Sequence, residues 1–403
     1  MEAMKRIYEA ALDEHIASLR QMAFLTGPRQ VGKTTTCRAL AVEGRYVNWD
    51  KQSDRAAILK GPDEVAAALR LHQLVAAKPL IVFDEIHKYS KWKNFLKGFF
   101  DEYGLQSTVI VTGSSRLDVY KRGGDSLMGR YFSYRMHPVS LAELTRTNLS
   151  ETGIQNPQRP ASEALEQLLA FGGFPEPFLK ADSRFSARWR RLRGEQFVRE
   201  DIRDLTRIQD IGQLEILMQS LTAQAGQLVN FSTLANRINV SVDTIRRWIG
   251  SLQSFYFCFE VRPWFRNVAK SLRKQPKLYL WDWSLAPAEG GARYENLMAS
   301  HLLKSVHWWT DRGLGNFGLY FLRDKTGREV DFLVAKDNTP WFLVEVKSGS
   351  DRVLNPALAY FQKQTKAAHA FQVVSRLPFV ARDCFEHTAP LIVPDVTFLS
   401  QLV

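Results

Sequence analysis

Residues 27–34 read Gly27-x-x-x-x-Gly32-Lys33-Thr34, directly after the apolar run Ala23-Phe24-Leu25. This is the spacing of a phosphate-binding loop. Its glycines let backbone N–H groups turn inward onto phosphate oxygens, its lysine supplies a point charge for the outer phosphates, and its threonine hydroxyl reaches Mg2+. Gly27, Pro28, Arg29, Gln30, Val31, Gly32, Lys33, Thr34 and Thr35 are therefore the candidate nucleotide-binding residues, with ATP and Mg2+ as the expected cofactors. The helix expected over residues 33–40 aims its N-terminal dipole at the anion.

A second signal is Leu80-Ile81-Val82-Phe83-Asp84-Glu85, four apolar residues ending in two acids. A run that apolar is buried on both faces of a sheet, so Asp84 emerges at the carboxyl edge, where open α/β sheets bind ligands. Asp84 is expected to hold Mg2+, through water or through Thr34, and Glu85 to orient and polarise the attacking water.

A third constellation lies far downstream. Glu345 and Lys347 are two apart on an expected strand over 342–347 and so share a face, while Val346 points the other way. Asp331, on an expected neighbouring strand over 329–334, completes a two-carboxylate cage, and Glu295 on a helix over 294–306 supports it. A divalent metal held there would activate water for phosphodiester cleavage, with Lys347 orienting or deprotonating that water. The same residues also make a plain Glu345–Lys347–Asp331 ion cluster. Adjacent carboxylates repel, and either a metal or a lysine relieves that repulsion.

The elements that must position these groups follow from apolar spacing. Alternating strand-like and helix-like segments over 1–150 indicate a parallel sheet covered by helices. Strands are expected at 46–49, 107–115 and 131–139, and helices at 64–76 and 91–103. Residues 151–160 are polar and broken by Pro and Gly, a linker signal. A helix over 162–170 leads to an elbow at 171–177, whose aromatics are expected to pack on the core of the first 150 residues. A long basic helix over 184–207 follows. Residues 231–238 and 242–253 form a helix-turn-helix pattern with Ser241 as N-cap. Ile245, Trp248, Ile249 and Leu252 face inward. Arg246 and Arg247 face outward, where a recognition helix meets DNA. Residues 255–261 would be the wing strand. Such a fold also serves as a protein–protein spacer. Strands at 277–282, 319–323 and 369–374 and a helix at 354–365 complete the chain, with Pro340 expected to interrupt the run before 342.

Composition sets the frame. The chain has 403 residues, 45% of them hydrophobic and 24% charged, and a formal net charge of +12. That length suggests two to four domains. Residues 184–274 hold 16 Lys and Arg against 8 Asp and Glu, a net of +8 that leaves +4 for everything else. A basic middle segment points to a polyanion, with DNA the expected partner. No apolar run approaches the roughly 18 residues that a membrane span needs. The amphipathic, acid-bearing N-terminus reads as neither signal nor transit peptide. Cys37, Cys258 and Cys384 lack metal spacing, and three scattered thiols suit a reducing, cytoplasmic setting.

The pieces GPRQVGKTT, LIVFDE, TGSS, GGFPEP and GREVDFLV…LVEVKSG together resemble the prokaryotic AAA family ATPases that carry a C-terminal DUF4143 domain. The order of helix, three strands, helix and strand after residue 271 resembles the PD-(D/E)xK nuclease core, although Val330 stands where the motif's proline would be. The resemblance implies an α/β chain in four parts. These are a P-loop AAA+ core at 1–150, a helical lid at 151–210, a winged helix-turn-helix at 211–270 and a restriction-endonuclease-like domain at 271–403. It also implies that Ser114, with Thr112 or Ser115 as alternatives, senses the γ-phosphate. Arg130, just before the fifth strand, resembles the finger that reaches a neighbouring subunit's nucleotide, so self-association as a ring or dimer is implied. A sensor arginine is implied among Arg188, Arg190 and Arg191. Two functions are compatible with this: an ATP-driven DNA-processing enzyme whose last domain cuts, or an ATP-gated switch whose last domain only binds DNA or a protein.

Overall fold

The computed structural model describes residues 4–41, 45–75, 77–113, 127–198, 210–265, 274–349 and 353–403. The chain divides into two compact units, one of Met1–His137 with Thr147–Leu149, the other of Pro138–Arg146 with Ser150–Val403.

Among the described residues, the first unit is built on five strands: β1 (Met22–Thr26), β2 (Tyr46–Asn48), β3 (Leu80–Asp84), β4 (Thr108–Gly113) and β5 (Tyr131–Arg135). They lie in the order β2-β3-β4-β1-β5, and every pairing is parallel. Ile81, Val82 and Phe83 on β3 and Val109, Ile110 and Val111 on β4 are fully buried or nearly so, as strands covered on both faces require. The helix Trp92–Tyr103 lays Trp92, Phe95, Leu96, Phe99, Phe100 and Tyr103 against this sheet. Placing β4 between β1 and β3 brings the ends of β1 and β3 to the same edge with β4 between them.

The helix expected over 64–76 is shorter and starts earlier, at Pro62–Ala68, and a helix that sequence reasoning missed, Gln52–Lys60, precedes it. Gly61, at φ 126°, ends the earlier helix and Pro62 starts the later one, where its missing N–H costs nothing.

Among the described residues, the second unit carries a sheet of seven strands in the order β12-β11-β10-β9-β8-β6-β7. They are β6 (Cys258–Pro263), β7 (Lys277–Leu280), β8 (Phe317–Arg323), β9 (Glu329–Lys336), β10 (Thr339–Lys347), β11 (His369–Val374) and β12 (Leu391–Pro394). Strands β8, β9 and β10 are antiparallel neighbours, and β10 runs parallel to β11. Residues Asp337 and Asn338, both with positive φ, form the two-residue turn from β9 to β10. Pro340 does not interrupt here: it sits inside β10 beside a bulge, where the ladder does not need its absent N–H.

The helices Phe231–Ile238 and Val242–Ser254 match their expected spans. The Asn230 side chain caps the first, and Ser241 Oγ accepts from Thr244 N at the start of the second. Ile245, Trp248, Ile249 and Leu252 are buried, and Arg246 and Arg247 are exposed. The expected wing strand has a different role. β6 pairs antiparallel with β7 and parallel with β8, so it is part of the large sheet. Cys258, Phe259 and Val261 are all buried, and a strand with both faces covered belongs inside a sheet. The elbow at 171–177 also packs within this unit: Phe174 meets Trp189, with the Arg193 guanidinium 3.8 Å from its ring centroid.

Residues 138–146 belong to this second unit because a buried ionic knot holds them. Lys304, 1% exposed, places Nζ 2.5 Å from Glu143 Oε2 and 2.8 Å from Ser140 Oγ. The neighbouring His301 accepts from Leu141 N at 3.1 Å, and burial lowers its pKa to about 4, so the ring stays neutral and able to accept.

Candidate functional site

β1 ends at Thr26 and the chain enters the loop 27–32. Gly27 has φ 150°, and a Cβ there would lie 2.3 Å from the Met136 carbonyl oxygen, so no other residue fits without moving backbone. Gln30 and Gly32 also have positive φ, turning the loop back on itself before the helix Lys33–Leu40 begins. Arg6, 2% exposed, donates to Val31 O and His137 O, both at 2.7 Å, and so ties the loop to the exit of β5.

Lys33 is buried, and its Nζ donates to Gly27 O at 2.9 Å and Pro28 O at 2.7 Å. Burial pulls its pKa down to about 8, against the opposing pull of Glu85 and Asp84. A lysine in that state gains when an anion arrives, because phosphate stabilises the charge that burial opposes.

Asp84, 2% exposed at the end of β3, collects three hydroxyls. Thr34 Oγ1 donates to Oδ2 at 3.2 Å, Thr112 Oγ1 donates to Oδ1 at 2.9 Å, and Tyr46 OH donates to Oδ2. Burial and the Asp84 contact push the Tyr46 phenol well above its ordinary pKa, so it remains a donor. Glu85 follows with φ 57°, its N–H donating to Thr112 O at 3.0 Å. Its Oε2 lies 3.3 Å from Lys88 Nζ, which also pairs with Asp50 at 2.7 Å. All-oxygen donors at Thr34 and Asp84 fit a hard cation such as Mg2+.

The other expected residues fall as follows. Ser114 and Ser115 lie outside the described residues, whereas Thr112 is on Asp84. Arg130 precedes β5, and Tyr131 pairs with Met22, at the opposite edge of the sheet from the loop. Arg130 makes two bonds to Asp101, at 2.8 and 3.0 Å, and this contact lowers the Asp101 pKa. Arg190 donates to Ser284 O, and Arg191 pairs with Glu195.

In the second unit, Asp331, Glu295 and Glu345 come near one another, but lysines stand among them. Lys277 Nζ lies 2.7 Å from Glu329 Oε1, 3.3 Å from Glu295 Oε1 and 3.7 Å from Asp331 Oδ1. Glu345 Oε1 accepts from Lys347 Nζ at 2.8 Å and Asn355 Nδ2 at 2.7 Å. Burial, then Glu295 and Glu345, raise the Asp331 pKa to about 8. Burial alone would lower the Lys277 pKa, yet Glu295, Asp331 and Glu329 hold it above its ordinary value. Among the described residues no group of three or more His, Cys, Asp or Glu is arranged to hold a metal. The cage expected from Glu295, Asp331 and Glu345 is thus a lysine-centred ion cluster, because an ammonium already balances its acids.

Sequence reasoning missed Arg6, Tyr46, Lys88 and Lys277. Only Lys277 had a local signal: with Tyr279 it puts two polar groups on one face of an otherwise apolar strand.

Comparison with known proteins agrees with the motifs. Residues 19–145 match the family described as an AAA domain, and residues 290–378 match the domain of unknown function DUF4143. The chain therefore joins an AAA ATPase domain to a C-terminal DUF4143 domain. Residues 162–295, which follow the first match and overlap the start of the second, match a further domain of unknown function, DUF8612. The uncharacterized proteins Rv2008c of Mycobacterium tuberculosis and Mb2031c of Mycobacterium bovis are each 24% identical over 338 residues, 79% of this chain and 71% of theirs. Among solved structures, AMPPCP-bound DnaA from Aquifex aeolicus is 14% identical over 61% of this chain and 85% of that one, at TM-score 0.31. C. elegans PCH-2 is 15% identical over 60% and 66%, at TM-score 0.26. Likenesses that distant carry no weight here. Among the described residues no helix is long and apolar enough to cross a membrane.

Gly27→Ala tests the loop. Adding the methyl at this φ should strain the loop by about 1–3 kcal/mol, weakening ATP binding about tenfold or more, with unchanged far-ultraviolet circular dichroism. Equilibrium titration with a fluorescent ATP analogue reads the effect, and unaltered affinity would contradict the geometry.

Proposed function

We propose that the chain is a Mg2+-dependent ATPase that binds DNA and uses the ATP cycle to control its nuclease-like C-terminal domain. The observation that carries the ATPase reading is the convergence of Lys33, Thr34, Asp84 and Glu85 on one sheet edge, beyond a glycine-bearing loop. Backbone N–H groups of 27–34 cradle the phosphates. Lys33 moves from the Gly27 and Pro28 carbonyls to phosphate oxygens. Thr34 and Asp84 would hold Mg2+, which would supply neutralisation of phosphate charge. Glu85 leaves Lys88 to orient the attacking water, and Ser114, with Thr112 or Ser115 as alternatives, reports the γ-phosphate.

Arg130 serves a neighbouring subunit in a ring or dimer. In its own chain it lies across the sheet from the loop, and the exposed pair it makes with Asp101 gives way at little cost. Arg246 and Arg247 meet duplex phosphates from the exposed face of the Val242–Ser254 helix. A second reading, in which the last domain binds without cutting, is favoured by Lys277 among the acids.

Glu85→Gln should bind ATP with near wild-type affinity while steady-state phosphate release falls by about 100-fold or more, the scale on which a general base acts. Unchanged turnover would remove Glu85 from this role. DNA affinity should fall linearly on a log–log plot against salt, and Arg246→Ala/Arg247→Ala should lower that slope by about 2, one for each arginine withdrawn from the phosphates. Fluorescence anisotropy with a short duplex reads both; a slope indifferent to the double change would make the helix pair a spacer.

A further inference from the structure

The geometry points to Lys277 as a tethered cation standing in place of a divalent metal, so that the acidic centre of the DUF4143 fold is closed to metal and binds without cleaving. This rests on the nuclease-like reading above. The lysine comes from β7 at the sheet edge, outside the strands that carry the Asp331 and Glu345 motif. Its side chain is 6% exposed, and its Nζ stands 5.6 Å from the Phe321 ring centroid with Glu295, Glu329 and Asp331 around it.

Each acid of the centre already has protein partners. Glu295 Oε1 also accepts from Tyr279 OH at 2.7 Å, two residues along β7 from Lys277. Glu329 Oε2 accepts from Arg323 at 2.8 Å. Asp331 Oδ2 accepts from Val346 N at 2.8 Å. Glu345 is turned to Lys347 and Asn355. A Mg2+ ion needs its oxygens at about 2.0–2.1 Å in near-octahedral array, and the ammonium occupies the space in which those oxygens would converge. Removing the ammonium would leave Glu295, Glu329 and Asp331 unbalanced, with oxygens that now stand 3.3, 2.7 and 3.7 Å from Nζ and would have to draw together to hold a hard divalent cation.

The test is a Mn2+ titration of the full chain, followed by the electron paramagnetic resonance of free Mn2+. Every protein carries Asp84→Asn, which silences the nucleotide site. The parent should take up no Mn2+ that depends on Asp331. Lys277→Ala should gain one Mn2+ per chain and a Mn2+-dependent rise in melting temperature, and adding Asp331→Asn should abolish both. Lys277→Met, which keeps the aliphatic stem, replaces the alanine variant if that one does not fold. If neither folds, the parent titration decides alone. A parent that binds one Mn2+ and fails to do so once Asp331→Asn is added would overturn the inference, as would a folded lysine variant that gains none. A DNA-nicking assay on the same samples reports on the underlying reading separately. Nicking by the lysine variant that Asp331→Asn abolishes supports the nuclease-like centre, whereas Mn2+ gained without nicking supports the cation exchange and removes the nuclease-like chemistry beneath it.

Discussion

The Asp84 carboxylate is the interaction on which the first unit depends. It is almost wholly withdrawn from water, and a buried carboxylate is costly unless donors surround it. Its three hydroxyl donors come from the Lys33–Leu40 helix, from β2 and from β4. Satisfying one side chain therefore fixes the end of β3 against both neighbouring strands and against the first turn of the loop's helix. Gly27 is fixed in the same sense from the other side, by the Met136 backbone it abuts. Between them they fix the loop at the carboxyl edge of the sheet, with Lys33 turned onto the Gly27 and Pro28 carbonyls.

The two units handle buried charge in opposite ways. In the first, Lys33 is a cation whose charge burial opposes more than the nearby acids support it. In the second, Lys277 is a cation held firmly by the acids around it, so nothing is wanting. The Lys304–Glu143 pair repeats the second pattern at the start of that unit, where it secures residues 138–146. Breaking such a buried pair by removing one partner costs about 3–5 kcal/mol, which marks these clusters as structural anchors of the second unit.

Much of this is legible in the sequence wherever one local pattern decides the outcome. The loop 27–34, the acids closing β3 and the helix pair around Ser241 each carry their signal within a few residues, and each lies where expected. Spans differ from expectation where a single residue redirects the chain: Pro62, after Gly61, starts a helix two residues before the expected 64, and Pro340 enters a strand at a bulge. The wing strand is misread because β6 is apolar enough for either a wing or a sheet, and only its pairing with β8 decides. Tyr46 and Lys277 are illegible for a different reason. Their partners are distant in sequence, and no local periodicity announces a hydroxyl on Asp84 or an ammonium among three acids. The metal cage fails on that point: the acids do gather, and the cation that balances them comes from another strand.

The most direct test of the account is whether the whole chain transfers the γ-phosphoryl group of ATP to water. The wild-type protein, given Mg2+ and ATP in water enriched in oxygen-18, should release inorganic phosphate carrying the label, while Lys33→Ala should release none above background. Labelled phosphate formed equally by both proteins, or by neither, would contradict it.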